Sequence, residues 1–243
     1  MASSTHAGPT LLAIETSATQ GSIALLSRDQ LHARELATQG RRHAQTLTLE
    51  IHELLNQATV TPGQLQGIAV GLGPGSFTGL RVGLVCAKTL AYALGCPVLG
   101  IETYQAIAAQ VSEAGLLPEG IKSLSVIGDA QRGDLFLARF ELTDSGNWQR
   151  QGEYQIVPGE TWLQEQPADA VIAGPGVTRC RSLATQTCLL DDPVSVQPTA
   201  TMIARLARLR YERGEVDDAW TISPIYLRPS AAEEQWDKRH ASP

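Results

Sequence analysis

The segment of the sequence with the clearest chemical potential is the glycine-rich stretch 71–81. Glycine occupies its positions 71, 73, 75 and 79, and glycine lets backbone N–H groups crowd together where side chains would block them. Ser76 stands where the hydroxyl of a helix N-cap would accept a hydrogen bond from the first free N–H groups. Because helix N-termini carry partial positive charge and point donors outward, the stretch predicts an anion-binding loop. The candidate residues of this loop are Gly73, Gly75, Ser76 and Thr78.

Two acidic residues that follow apolar runs could serve a nucleotide-dependent enzyme. Glu15 and Asp129 would hold magnesium in an actin-like ATPase or phosphotransferase, with the turns after them as phosphate clamps. The turns argue against this function, because residues 16–20 and 130–132 are rich in side chains that obstruct backbone donation to phosphate. An actin-like ATPase or phosphotransferase that uses Glu15 and Asp129 is therefore the alternative to the function favoured below.

Other catalytic and metal-binding patterns are missing from the sequence. Two metal-binding histidines on one helix face stand four residues apart, whereas His43 and His52 are nine apart and no other pair has the spacing. Ser76 lacks the spacing of a nucleophile elbow and has no identifiable base. The cysteines fit no zinc or redox motif and are expected to be reduced thiols: they are Cys86, Cys96, Cys180 and Cys188. We therefore expect no catalytic residue, no metal site and no cofactor of its own.

Charge and composition restrict the partners of this 243-residue chain. Its net charge is −6 and its pI about 5.4, whereas a stand-alone nucleic-acid-binding protein normally has a basic face. Basic clusters at 41–43 and 205–213 are typical of solvated helix surfaces, so any nucleic acid would be held mainly by a partner. No apolar run approaches the length of a membrane span, and residues 1–10 do not form a signal peptide. We expect a cytoplasmic protein that does not contact membranes.

The order of predicted elements indicates a duplicated fold. A first half-unit has the order βββαβαβ, which is the pattern of the actin-like, ribonuclease H-like architecture. Its elements are predicted at 11–14, 22–26, 31–36, 42–58, 67–70, 77–94 and 97–101. A second half-unit begins with strands at 124–127 and 135–140, and its segment 171–176 repeats the pattern of 68–75. The fold class is thus α/β, a duplicated two-lobe fold with mixed sheets flanked by helices. The divisions are a flexible tail 1–10, a first lobe 11–110, a second lobe 111–230 and a tail 231–243.

The helix predicted at 77–94 has small residues at every fourth position, namely Gly79, Gly83, Ala87 and Ala91, followed by Gly95. Glycine inside a helix costs about 1 kcal/mol relative to alanine, so a close contact should compensate. The ridge of small residues could pack on its own sheet or on a helix of another chain, and the sequence leaves both possibilities open.

Four segments together resemble the TsaB (YeaZ) family of bacterial tRNA threonylcarbamoyladenosine biosynthesis proteins. They are LAIETS at 12–17, RRHAQTL at 41–47, IAVGLGPGSFTGLRVG at 68–83 and YLR at 226–228. The long glycine motif is the specific one, and the strongest similarity covers residues 11–110. Members of the family usually have Asp at the position of Glu15, so the resemblance assigns this residue no metal or nucleotide role.

The resemblance implies an actin-like protein without catalysis of its own. Its partner would be the larger paralogue TsaD, which transfers a threonylcarbamoyl group to adenosine in tRNA, and the small ATPase TsaE would join the pair. ATP and metal would be handled by these partner subunits, and tRNA would be reached only through the complex. The family also forms homodimers through the helices that bind TsaD, here 42–58 and 77–94. The predicted contact residues are Leu47, Ile51, Leu54, Phe77, Leu80, Gly83, Leu84 and Ala87.

Overall fold

The computed structural model describes residues 8–36, 43–182 and 187–229, together with Trp236 and His240. The strands are β1 Leu11–Glu15, β2 Ser22–Ser27, β3 Gln30–Glu35, β4 Gly67–Gly71, β5 Val98–Ile101, β6 Ser123–Asp129, β7 Asp134–Leu142, β8 Trp148–Pro158, β9 Val171–Ala173 and β10 Cys188–Leu189. The helices are α1 His43–Gln57, α2 Phe77–Leu94, α3 Thr103–Glu113, α4 Gly159–Gln164, α5 Val177–Cys180, α6 Pro193–Val196 and α7 Ala200–Glu212.

Two five-stranded sheets repeat one topology, in the orders β3-β2-β1-β4-β5 and β10-β9-β6-β7-β8. In the first, β1 pairs antiparallel with β2 and parallel with β4. In the second, β6 pairs antiparallel with β7 and parallel with β9. Strands β1 and β6 therefore hold equivalent central places, which confirms the predicted duplicated two-lobe α/β fold.

Helices cover both faces of the first sheet, because successive side chains of a buried strand point to opposite faces. Leu12 and Ile14 pack with the inner faces of α1 and α2, whereas Leu11 and Ala13 pack with α7. Helix α2 begins at the predicted residue, where the Ser76 hydroxyl accepts a hydrogen bond from Gly79 N–H. It ends before Gly95, whose φ of 67° is the left-handed conformation typical of a helix C-terminus.

The second sheet is also covered by helices, and two helices pack on a sheet other than that of the lobe to which the sequence prediction assigned most of their residues. Helix α3 packs on one face of this sheet, although the prediction assigned residues up to 110 to the first lobe. Helix α7 packs on the first sheet, although the prediction assigned 111–230 to the second lobe. Helix α3 thus packs on the sheet that follows it in the sequence, and helix α7 packs on the sheet of the first lobe. Patterns of local sequence could not show this because the exchange depends on contacts between distant segments.

The described end of the predicted tail 1–10 is part of the fold. Thr10 belongs to the folded first lobe, since its N–H donates to Gln66 Oε1 at 2.9 Å and its carbonyl accepts from Gln66 N–H at 2.8 Å. Most of the predicted tail 231–243, like residues 1–7 and the basic pair Arg41–Arg42, lies outside the described residues. One described helix, α2, is long and apolar enough by composition to cross a membrane, and its inner face, with Leu80 and Leu84, is buried in the first lobe.

Candidate functional site

The glycine-rich loop between β4 and α2 uses its backbone donors within the chain. Gly73 N–H donates to Thr103 Oγ1 at 3.1 Å, and Ser76 N–H donates to the carbonyl of Ser17 at 2.7 Å. Gly79 N–H is taken by the Ser76 hydroxyl at 3.2 Å. An anion on this loop would therefore have to compete with the protein's own acceptors for the donors at 73, 76 and 79. Of the predicted anion-loop residues Gly73, Gly75, Ser76 and Thr78, Gly73 and Ser76 thus have backbone donors that the protein itself uses.

The turn after β1 explains why glycine is needed in this loop. A Cβ on Gly75 would stand 2.5 Å from the Ser17 carbonyl oxygen, and a Cβ on Gly79 would overlap the Thr16 carbonyl. A Cβ on Gly83 would overlap the Thr16 hydroxyl, which itself donates to the carbonyl of Gly79 at 2.7 Å. The glycines thus permit the turn and α2 to touch through their backbones.

The rest of the small-residue ridge also faces inward. Ala87 and Ala91 are buried in the core between α2 and the first sheet. Of the two possibilities for the ridge, packing on the chain's own lobe is therefore the one that the structure shows.

Glu15 lies at the end of β1, fully buried beneath the glycine-rich loop. Its Oε1 accepts from Ser17 N–H at 2.6 Å, and its Oε2 accepts from the Thr103 hydroxyl at 3.0 Å. Burial raises the pKa of this carboxyl group, and the hydrogen bonds from Ser17 and Thr103 oppose part of that rise. A Cβ on Gly71 would overlap the carboxylate, so glycine at 71 makes room for it. Glu15 ties β1, the loop and the start of α3 together.

Asp129, the equivalent residue of the second lobe, has a different environment. It is exposed, forms an ion pair with Arg179 at 2.5 Å and accepts a hydrogen bond from Gln131 N–H at 2.7 Å. The two predicted acids are thus committed to separate local networks, one buried and one at the surface. Across the parts of the chain that the structure describes, no group of three or more His, Cys, Asp or Glu side chains could hold a metal ion.

Seven of the eight predicted contact residues lie in the interior of the chain: Leu47, Ile51, Leu54, Leu80, Gly83, Leu84 and Ala87. The eighth, Phe77, is half-buried and stacks on Tyr226 with ring centroids 4.7 Å apart. These seven residues are not available for contact with a partner in this structure. A helical repeat of apolar residues marks the face that is removed from water, and here the lobe's own sheet already covers that face.

The opposite side of α2 carries the apolar residues that remain exposed. Val85 is 63% exposed and Tyr92 77% exposed, and their spacing of seven residues places them on one helix face. The ring of Trp220, 79% exposed, stands edge-on to Tyr92 with centroids 6.0 Å apart. We call Val85, Tyr92 and Trp220 the α2 outer face. On the neighbouring helix, Leu49 is also exposed.

Sequence reasoning missed the α2 outer face. The available signal was that Val85 and Tyr92 lie across the helix from the ridge of small residues, where a solvated helix would carry polar side chains. Trp220 gave no such signal, because it follows α7 in an irregular segment far along the chain.

A cavity of about 430 Å³ lies between α7 and the turn that joins β7 to β8. Among the lining residues, Arg150 pairs with Glu102 at 3.0 Å and Arg213 pairs with Glu215 at 3.2 Å. Because these cations are matched by acids, the cavity wall they form does not provide a concentrated positive charge for an anionic ligand.

Comparison with known proteins agrees with this architecture. A family model described as TsaD, tRNA N6-adenosine threonylcarbamoyltransferase, matches residues 30–172. A Haemophilus influenzae protein named tRNA threonylcarbamoyladenosine biosynthesis protein TsaB is 30% identical over 228 residues, which cover 90% of this chain and 93% of the relative. The chain belongs to the TsaB (YeaZ) family.

Further TsaB relatives extend this similarity over nearly the whole chain. The Bacillus subtilis TsaB protein is 28% identical, and the alignment covers 93% of this chain and 97% of the relative. The solved structure of YeaZ from Pseudomonas aeruginosa superposes with a TM-score of 0.76 at 29% identity, covering 90% of this chain and all of that one. The TsaB family thus shares both lobes of the fold.

Proposed function

We propose that this protein is a non-catalytic subunit of the machinery that makes threonylcarbamoyladenosine in tRNA, where it binds and supports the catalytic paralogue TsaD together with TsaE. The observation that carries the proposal is the closure of the glycine-rich loop by the turn at Thr16 and Ser17. The loop and the buried Glu15 serve the packing of the first lobe, so chemistry would fall to another subunit. Membership of the TsaB family, whose relatives carry this pathway in their names, supports the assignment.

TsaD is the partner that we assign to the α2 outer face. Exposed aromatic side chains are enriched where one protein docks on another, and Tyr92 and Trp220 lie side by side here. The backbone of α2 is fixed from behind by the ridge of small residues, so its outer face is presented rigidly. A homodimer would use the same face and would therefore compete with TsaD.

The remaining partners follow from charge and chemistry. With a net charge of −6, this protein would meet tRNA only within the complex. ATP and metal would be bound by the partner subunits. Since the substrate is tRNA, the protein would act in the cytoplasm.

The test is reconstitution of tRNA modification with TsaD and TsaE from the same cells. Threonylcarbamoyladenosine in digested tRNA is quantified by mass spectrometry, with and without this protein. We expect product only when it is present, and co-elution with tagged TsaD in size-exclusion chromatography. Full modification in its absence would contradict the proposal. ATP hydrolysis by the isolated protein, lost in Asp129→Asn, would instead support the actin-like ATPase.

A further inference from the structure

After α7 the chain runs back across the molecule as an irregular segment, residues 217–228, which we call the strap. Its first contact is with the edge of the first sheet. Asp217 N–H donates to the Val98 carbonyl at 3.0 Å, and Gly100 N–H donates to Asp217 Oδ2 at 2.7 Å. Arg210 of α7 pairs with the same carboxylate at 2.9 Å and fixes it in place. The strap thus begins as an addition to strand β5.

The middle of the strap packs beside the glycine-rich loop of the first lobe. Ile225 N–H donates to the carbonyl of Leu72 at 2.8 Å. The Tyr226 ring stacks on Phe77, and its hydroxyl accepts a hydrogen bond from Arg81 Nε at 3.1 Å. The Arg81 guanidinium also lies 4.0 Å from the centre of the Phe77 ring. These contacts hold the strap to the N-terminal turn of α2.

The end of the strap reaches the other lobe through Arg228. Its guanidinium donates to the carbonyl of Ala130 at 2.7 Å and forms an ion pair with Asp134. Ala130 and Asp134 stand at the two ends of the turn that joins β6 to β7. Within that turn Gln131 and Arg132 have φ values of 64° and 56°, a conformation that side chains disfavour and that surrounding contacts must maintain.

We propose that the strap is an interlobe clamp, anchored on the first lobe by Asp217, Ile225 and Tyr226 and on the second lobe by Arg228. The Arg228–Asp134 pair is only partly exposed, so water screens it less than a surface pair. Because the planar guanidinium of Arg228 binds a carboxylate and a carbonyl together, it fixes both the distance and the orientation of the strap end relative to the β6–β7 turn. The clamp holds the two lobes in one arrangement without a ligand between them.

The experiment compares the wild-type protein with Arg228→Ala by hydrogen exchange and by small-angle X-ray scattering at matched oligomeric state. We expect the amides of 130–134 and of Ile225 to exchange about tenfold faster in the variant, because the strap end is released. The amides of β1 and β6 should keep their protection, and the radius of gyration should increase. Arg213→Ala is the matched control, since the contacts of Arg213 with Leu209 and Glu215 lie close to its own position in the sequence.

Three results would overturn the clamp. Unchanged exchange at the turn and at Ile225 in Arg228→Ala is the first. Faster exchange with an unchanged scattering curve is the second, because Arg228 would then order the turn without setting the lobe arrangement. The same changes in Arg213→Ala are the third. If Arg228→Ala does not fold, Arg228→Lys is measured instead, since an ammonium keeps the charge but loses the fork that spans two acceptors. The same changes are expected there at smaller size, and wild-type values would overturn the proposal.

Discussion

The Thr16 hydroxyl donates a hydrogen bond to the Gly79 carbonyl at 2.7 Å, while the Thr16 carbonyl fills the space that a side chain at position 79 would need. A methyl group at 79 would force the turn after β1 away from α2. We expect Gly79→Ala to lower the free energy of unfolding by about 3 kcal/mol, near the upper end for overpacking, since backbone must move. Urea denaturation followed by circular dichroism measures this.

The control for that substitution is Gly63→Ala, at an exposed position where an added Cβ meets nothing within 4 Å. We expect it to change the stability by no more than about 0.5 kcal/mol. Equal stability of Gly79→Ala and Gly63→Ala would show that the contact between Thr16 and Gly79 is not tight in solution.

Val85 and Ala87 stand two residues apart on opposite sides of α2, which allows partner binding to be separated from folding. Val85→Asp should leave the melting temperature unchanged and weaken binding to TsaD by at least about tenfold, because it puts a charge on the α2 outer face. Ala87→Asp should prevent folding of the first lobe, since Ala87 is fully buried. Calorimetric titration with TsaD and thermal melts give the two readouts.

Trp220→Ala provides a second probe of the same face, and it should weaken TsaD binding without loss of fold. The assignment of TsaD to the α2 outer face would fail if Val85→Asp and Trp220→Ala both bound TsaD with wild-type affinity. The same variants should shift a homodimer toward monomer in sedimentation experiments.

The buried carboxyl of Glu15 should make stability depend on pH. Burial raises its pKa in the folded state above the ordinary 4.5, so the folded protein holds the proton more tightly than the unfolded chain. Its contribution to stability is therefore present at low pH and is lost as pH rises through the folded-state pKa. Glu15→Gln keeps an acceptor for Ser17 N–H and has no charge to bury.

We accordingly expect Glu15→Gln to gain stability relative to the wild type as the pH increases above the ordinary carboxyl pKa of 4.5. Thermal melts across that range are compared with those of Glu119→Gln, an exposed position. A constant difference in melting temperature between the wild type and Glu15→Gln at every pH in this range would contradict a raised pKa.

Anions should not stabilise the glycine-rich loop, because the N–H groups of Gly73, Ser76 and Gly79 already donate to acceptors within the protein. We expect millimolar phosphate to leave the melting temperature where a chloride solution of equal ionic strength leaves it. A ligand present at 100 times its Kd would add about 2.7 kcal/mol of stability, which a thermal melt detects easily. A saturable rise with phosphate alone would restore the anion-binding interpretation of Gly73, Gly75, Ser76 and Thr78.

Local patterns predicted most of the first lobe and the duplication. The span 77–94 matches α2 because Ser76 and Gly95 mark its ends, and continuous runs of apolar residues mark the buried strands β1 and β2. Local patterns could not predict that the chain's own sheet buries the predicted contact residues. An apolar repeat gives the face that avoids water, but not which neighbour covers it.

Long-range contacts account for the remaining differences. Helix α7 returns to the first sheet, and Arg228 reaches Asp134 across 94 positions of sequence. Likewise, nothing near Glu15 in the sequence indicates that Thr103 will share its carboxylate, since 88 residues separate them.

The contact between Asp217 and β5 has a consequence for aggregation. An outermost strand offers free N–H and C=O groups to other chains, and proteins cover or interrupt such edges. Here the Asp217 N–H donates to the Val98 carbonyl, and the Asp217 carboxylate accepts from the Gly100 N–H. The Ile222 side chain packs against Gly100. In a version of the chain shortened after α7, β5 would still pair with β4, but its outer edge would be unpaired and could bind a strand of another chain. Such a shortened chain should self-associate edge to edge at concentrations where the longer chain does not.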